Sequence, residues 1–260
     1  MHTTLDFAAL LALLDERSTA FREVVAAAPD LDVDVPSCPG WSLFDLAEHV
    51  GQGRRRWATI VAAGPCDERP AGTAPSESAP APRDRAELET WLAAAVGEFD
   101  AALRAAGPEA GCWTWWGDSQ SPETAEGVAR HQVQELAVHT YDAQLAVGAP
   151  QPLPEAIALD GVEEFLSTCV STDEVWPHEP LTLGFNATEG RAWRLDLSGD
   201  GARYARLGQE ESVDVVSDAF VNATASDIVL WDYNRIALES LEISGDRVGF
   251  ERLRDWDPDA

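Results

Sequence analysis

The chain has 260 residues, with 18 basic residues against 46 acidic ones and a formal net charge of −28. That balance argues against nucleic acid as a partner, because phosphate binding needs clustered cations, and equally against docking on an anionic membrane. Disorder is not implied either, since 45% of residues are hydrophobic and 10 are Trp, enough apolar material for a sizeable core.

Apolar positions Leu10, Leu13, Leu14, Phe21, Val24 and Val25 recur at helical spacing and predict a helix from about Asp6 to Ala28. No basic residues precede its apolar run Phe7 to Leu14, and Asp15, Glu16 and Arg17 follow at once. It therefore reads as an amphipathic helix rather than a signal peptide. A Pro- and Asp-rich loop leads to Trp41. Ser42, with Asp45 three residues on, has the form of a capping box and opens a second helix to about Ala63. Gly64 to Arg83 is rich in Pro, Ala, Ser and Gly and reads as a surface loop. A third helix fits Asp84 to Ala106, ended by Pro108 and Gly111. Past a Trp-rich turn, Trp113, Trp115, Trp116 and Gly117, a fourth helix fits Ser121 to Val147, closed by Gly148 and Pro150. Four such helices predict an up-down bundle, with a crossover allowed by the longer loops.

Leu153 to Val170 predicts one more helix. The period then drops to two: Trp193 to Leu197 alternates apolar and charged residues, and Leu181 to Phe185 and Val213 to Val216 are shorter strand candidates. Ser226 is placed as the cap of a helix from Asp227 to about Leu241, Ser244-Gly245-Asp246 as a turn, and Val248 to Leu253 as the closing segment. The expectation is an α+β protein with a helical bundle over residues 1–150 and a smaller α+β domain over 151–260. Cys38, Cys66, Cys112 and Cys169 form no CxxC pair, which disfavours a zinc ribbon and fits a reducing cytoplasm. No segment reaches the ~18 apolar residues of a membrane span, so a soluble, cytoplasmic protein is expected.

The fourth helix carries Glu135 and His139 at i, i+4, the spacing by which one helix turns two ligands toward one metal. Asp142, three residues further, is placed to orient the His139 imidazole. His49, flanked by Leu46 and Val50 on the second helix, is the candidate third ligand. Each has an ordinary alternative: a solvated Glu/His pair, or a hydrogen-bonded boundary histidine. His131, one turn before Glu135, is read as a surface residue.

Three segments resemble the mycothiol-dependent maleylpyruvate isomerase family. They are Val35 to Val50, with Cys38-Pro39-Gly40-Trp41, Asp45-Leu46 and His49; Glu135-Leu136-Ala137-Val138-His139-Thr140-Tyr141-Asp142; and Ala225 to Arg235 followed by Ile243-Ser244-Gly245-Asp246. The resemblance implies a DinB-like four-helix bundle followed by a small domain similar to sterol carrier proteins. It implies a divalent metal, most often zinc, on His49, Glu135 and His139, with mycothiol as the low-molecular-weight thiol cosubstrate. The Lys-free, Ala- and acid-rich composition fits an actinobacterial source. Three positions depart from the family pattern: Gln134 stands where a His is usual, Gly127-Val128-Ala129 where an aromatic pair is usual, and Asn234 where Trp-x-x-Gly-Arg has its Gly.

Two His and one carboxylate leave coordination positions open, the mark of a catalytic metal. A metal-bound thiolate attacking a small electrophilic substrate is the expected chemistry, giving isomerisation or S-transfer. Arg235 is the candidate clamp for a substrate carboxylate. Arg56, seven residues after His49, is the candidate anchor for an anionic group, against the plainer reading of Arg54-Arg55-Arg56 as a solvated run. Trp113, Trp115 and Trp116 either line a pocket mouth or pack between helices. Cys38 and Cys112 are read as structural. Two other functions share these features: a non-haem metal enzyme using the same three ligands without a thiol, and a non-enzymatic small-molecule or lipid carrier.

Overall fold

Helices begin where a short polar side chain precedes an apolar run, because its oxygen accepts a backbone N–H that the first turn leaves orphaned. In the computed structural model, which describes residues 5–208 and 211–256, Asp6 caps α1 (Phe7–Ala27) and Asp84 caps α3 (Arg85–Ala106). Ser42 and Asp45 form the reciprocal capping box of α2 (Leu43–Ala63). The fourth helix, α4 (Ala125–Ala146), starts later than expected. Thr124, not Ser121, is its cap, and the Ser121 hydroxyl instead accepts from Thr168. Among the described residues no helix is long and apolar enough to cross a membrane.

The chain divides into two compact units, Met1–Trp115 with Pro122–Gln151, and Trp116–Ser121 with Pro152–Ala260. In the first, α1 rests mainly on α4 and α2 mainly on α3, while α1 and α2 scarcely meet. The chain therefore crosses the bundle between α1 and α2, the crossover that the long 28–42 loop allows. Phe21, Val25, Leu43, Leu46, Val50, Leu88, Leu92 and Leu136 fill the core. A Cβ at Gly51 would collide with the Trp91 ring, so this glycine sets how closely α2 and α3 approach.

The second unit joins α5 (Glu155–Phe165), extended by a wider π turn over Leu166–Val170, to a five-stranded sheet. Its strands are β1 (Leu181–Ala187), β2 (Arg191–Ser198), β3 (Gly201–Arg206), β4 (Ala219–Ala223) and β5 (Glu242–Gly245), in the order β3-β2-β1-β4-β5. β1 and β4 run parallel and the other pairs antiparallel. Phe185 stands between Trp193 and Val221 in register, so one face of the sheet carries a continuous buried row. The Trp193 indole donates to Glu163 Oε2, which also pairs with Arg206.

Three expectations fail in this unit. Val213–Val216 is a short helix, α6, not a strand. Only Val213 is buried, packed where a Cβ at Gly184 would sit, and Val215 stays 79% exposed. Its β-branched residues favour a strand, but tertiary placement overrides propensity. Gly245 ends β5 rather than sitting in a turn. The helix α7 (Ala225–Asp232) is capped by Thr224, while the Ser226 hydroxyl accepts from the Leu153 N–H. It stops at Asp232 instead of running to Leu241, and the chain closes with α8 (Val248–Asp255).

The stop of α7 explains Asn234. Its φ is +60°, the left-handed region that glycine enters freely and asparagine tolerates best among other residues. An Asn234→Gly variant should match or slightly exceed the parent in thermal stability. Asn234→Ala should cost about 1 kcal/mol, lowering Tm by roughly 2–4 °C. Equal melting of all three by calorimetry would remove the backbone argument.

Candidate metal centre

His49 lies two turns beyond the Ser42 cap on α2, and Glu135 and His139 lie on the α4 face that meets α2. The three converge: their ligand atoms all lie within 4.8 Å of one another. His49 Nε2 is 3.4 Å from Glu135 Oε1, and the two imidazole rings stand edge to face at 5.1 Å. Two donors each ~2.1 Å from a tetrahedral ion are themselves ~3.4 Å apart, which the His49–Glu135 pair matches. Side-chain exposures of 32%, 22% and 12% for His49, Glu135 and His139 leave the centre within reach of a small molecule.

The surrounding contacts orient each donor. Asp142, fully buried, takes His139 Nδ1 at 2.9 Å, which leaves Nε2 for the centre. The same carboxylate accepts from Ser37 Oγ at 2.6 Å and Cys38 Sγ at 3.6 Å, tying the Ser37-Cys38 loop to α4. The Trp41 ring leans on His49 at 4.9 Å. Burial opposes ionisation of Glu135, but its hydrogen bond to His49 and the charge of Arg54, with smaller electrostatic contributions from the two imidazoles, outweigh it. They hold the carboxyl well below the usual carboxylate range, so Glu135 is an anionic donor.

Arg54, Arg55 and Arg56 are not a solvated run. Arg54 is buried and bonded to Gln132. Arg55 stacks on the Trp91 ring and donates to the Trp91 carbonyl. Arg56 is half-buried beside the centre: a Cβ at Gly53 would touch both its Nη2 and Glu135 Oε1. Burial lowers the Arg56 pKa, Glu135 raises it, and Arg69 close by lowers it again. The 64–83 stretch runs along α2, where Glu48, Gln52 and Arg56 on successive turns bond Ala81, Ala79 and Ser78.

The other candidates separate. His131 is not a plain surface residue, since its ring meets the edges of Trp57 and Trp115. Trp113 lies under Arg69, Trp116 is buried, and Trp115 is 46% exposed. Cys112 is buried, and burial together with Glu123 and Cys66 pushes its thiol up to about 11, which suits a structural residue and not a nucleophile. In the second unit Arg235 follows the Asn234 bend and donates from Nη1 to the Tyr233 carbonyl at 2.6 Å. Sequence reasoning missed Arg54 and Gln132. The one signal was the placement of Gln132 a single helical turn before Glu135.

Residues 11–144 match the family described as mycothiol maleylpyruvate isomerase N-terminal domain. The chain belongs to the mycothiol maleylpyruvate isomerase family. Residues 156–252 match the C-terminal domain of the same family, so its two modules occur here in order. Two similar solved structures are the mycothiol-dependent maleylpyruvate isomerase, at 15% identity and a TM-score of 0.58, and a histidine-to-alanine mutant of the mycothiol-dependent maleylpyruvate isomerase, at 14% and 0.59. Each alignment covers 92% of this chain and 93% of the other. At such identities the likeness shows the family's fold, a helical unit followed by a small mixed sheet. No curated protein matches the chain in sequence.

Proposed function

We propose that this family member is a cytoplasmic, divalent-metal-dependent enzyme of an actinobacterium that uses mycothiol. In this reading the mycothiol thiolate attacks a small electrophilic substrate, in an isomerisation or an S-transfer. The observation that carries the reading is the convergence of His49, Glu135 and His139 in one partly open site. The names of the similar proteins support the thiol and the reaction class. When bound to these three residues, a divalent cation, zinc by donor preference, would lower the pKa of a coordinated thiol and supply a thiolate at neutral pH.

The chain's own residues do the rest. Asp142 holds the His139 tautomer whose Nε2 is available to the site. Arg56, half-buried next to Glu135, offers a guanidinium to an anionic group of thiol or substrate. Arg235 is proposed as the carboxylate clamp on chemistry alone, because a guanidinium matches a carboxylate with two parallel hydrogen bonds.

The test pairs elemental analysis of the purified chain with calorimetry against mycothiol, glutathione and a mycothiol analogue whose thiol is replaced by hydroxyl. One equivalent of divalent metal and binding of mycothiol alone are expected. Stoichiometric iron with oxygen-dependent turnover would turn the reading toward a thiol-independent metal enzyme. A metal-free protein that copurifies with lipid would turn it toward a carrier.

A further inference from the structure

Arg54 lies five residues beyond His49 on α2, yet its side chain is withdrawn from solvent and only 2% exposed. It borders a cavity lined by Leu14, Val96 and Phe99 and also by the charged Asp15, Arg22 and Asp100, with its guanidinium carbon 5.5 Å from the Phe99 ring centroid. A buried cation is costly unless it is paired and hydrogen-bonded. On α4 both terminal nitrogens of Arg54 find partners, while its buried Nε has none among the described residues. Nη1 donates to Gln132 Oε1, Nη2 donates to the Gln132 carbonyl at 3.1 Å, and Nη1 stands 3.9 Å from Glu135 Oε2.

This arrangement dictates which way the Gln132 amide faces. With its oxygen engaged by the guanidinium, the amide has only its NH2 to offer on the other side. That NH2 donates to Glu135 Oε2. The second carboxylate oxygen, Oε1, is the one turned toward His49 Nε2 at 3.4 Å. The two oxygens of Glu135 are thereby distinguished, one anchored in the protein and one presented to the centre.

We propose that Arg54 and Gln132 are positioning residues, a buried relay that makes Glu135 a one-oxygen ligand of the divalent cation. The proposal rests on the metal reading above and adds to it what fixes the carboxylate. Asp142 does the corresponding task for His139, so both α4 ligands are set by buried partners.

The test uses the full chain, titrated with cobalt(II) by visible absorption and with zinc against a chelator. Arg54→Met and Gln132→Met keep side-chain length while removing the relay. Each should lower metal affinity roughly 10–100-fold. Each should also weaken the cobalt d–d band, because a released carboxylate can bind through both oxygens and raise the coordination number. A purely structural role would lower melting temperature and leave the spectrum unchanged. Circular dichroism reports folding, and the double variant removes both buried polar groups together should a single one fail to fold. Parent-like affinity and spectrum in any folded variant overturn the relay. If His139→Ala binds cobalt as tightly as the parent, the metal centre itself is overturned, and the relay falls with it.

Discussion

Replacing His139 with alanine is expected to remove the bound equivalent of zinc and abolish thiol conjugation, and His49→Ala should do the same. The two ligands come from different helices, so losing either leaves only two donors, too few to hold zinc against solvent. The effect also reads out without turnover. Zinc at a hundredfold excess over its Kd should stabilise the parent by about 2.7 kcal/mol, since binding to the folded state alone shifts unfolding by mass action. That amounts to roughly 5–10 °C in Tm. In either variant, melting should become independent of zinc, and the parent treated with a strong chelator should melt as the variants do. A zinc-dependent shift that survives in His139→Ala would remove this centre as the binding site.

Asp142→Ala is expected to have the second largest effect, because one fully buried carboxylate serves three donors on two segments. Alanine removes the acceptor of the His139 imidazole and of the Ser37 and Cys38 side chains, and leaves a cavity. Depriving buried donors of their acceptor should cost about 3 kcal/mol, seen by chemical denaturation of the metal-free protein. Zinc affinity should fall roughly 10–100-fold, the usual consequence of losing the group that orients a ligating imidazole. Asp142→Asn separates the two effects. It keeps the shape and one acceptor oxygen, so most of the stability should return. The neutral amide polarises the ring less, so the loss of affinity should largely remain. Unchanged zinc competition in Asp142→Asn would show that the carboxylate's charge does not matter to His139.

The helical unit was legible because its signals are local. The apolar spacing, with the Ser42–Asp45 capping box at the start of α2, places α1, α2 and α3 to within a residue. The sheet was less so. β3, β4 and β5 escaped notice, since short strands such as Ala219–Ala223 are specified by pairing with a distant partner, here β1. Val213–Val216 failed for the complementary reason: it has strand-like residues but lies in a helical turn beside Gly184.

At the site, residue type and spacing determined the candidates. Glu135 and His139 one turn apart follow from helical geometry, and His49 from its motif on an amphipathic helix. Only the tertiary structure decided which neighbours serve them. Arg54, Arg55 and Arg56 are identical in type and consecutive in sequence. Yet one is buried against Gln132, one stacks on Trp91, and one is half-buried beside Glu135. Each step along a helix turns the side chain by about 100°, and the helices packed on either side of α2 set what it meets. The charge of −28 argued at the outset against nucleic acid and anionic membranes as partners. It could not reveal that arginines gather at the carboxylate of the site, because a summed charge carries no positions, and the packing of α2 on α4 supplies them.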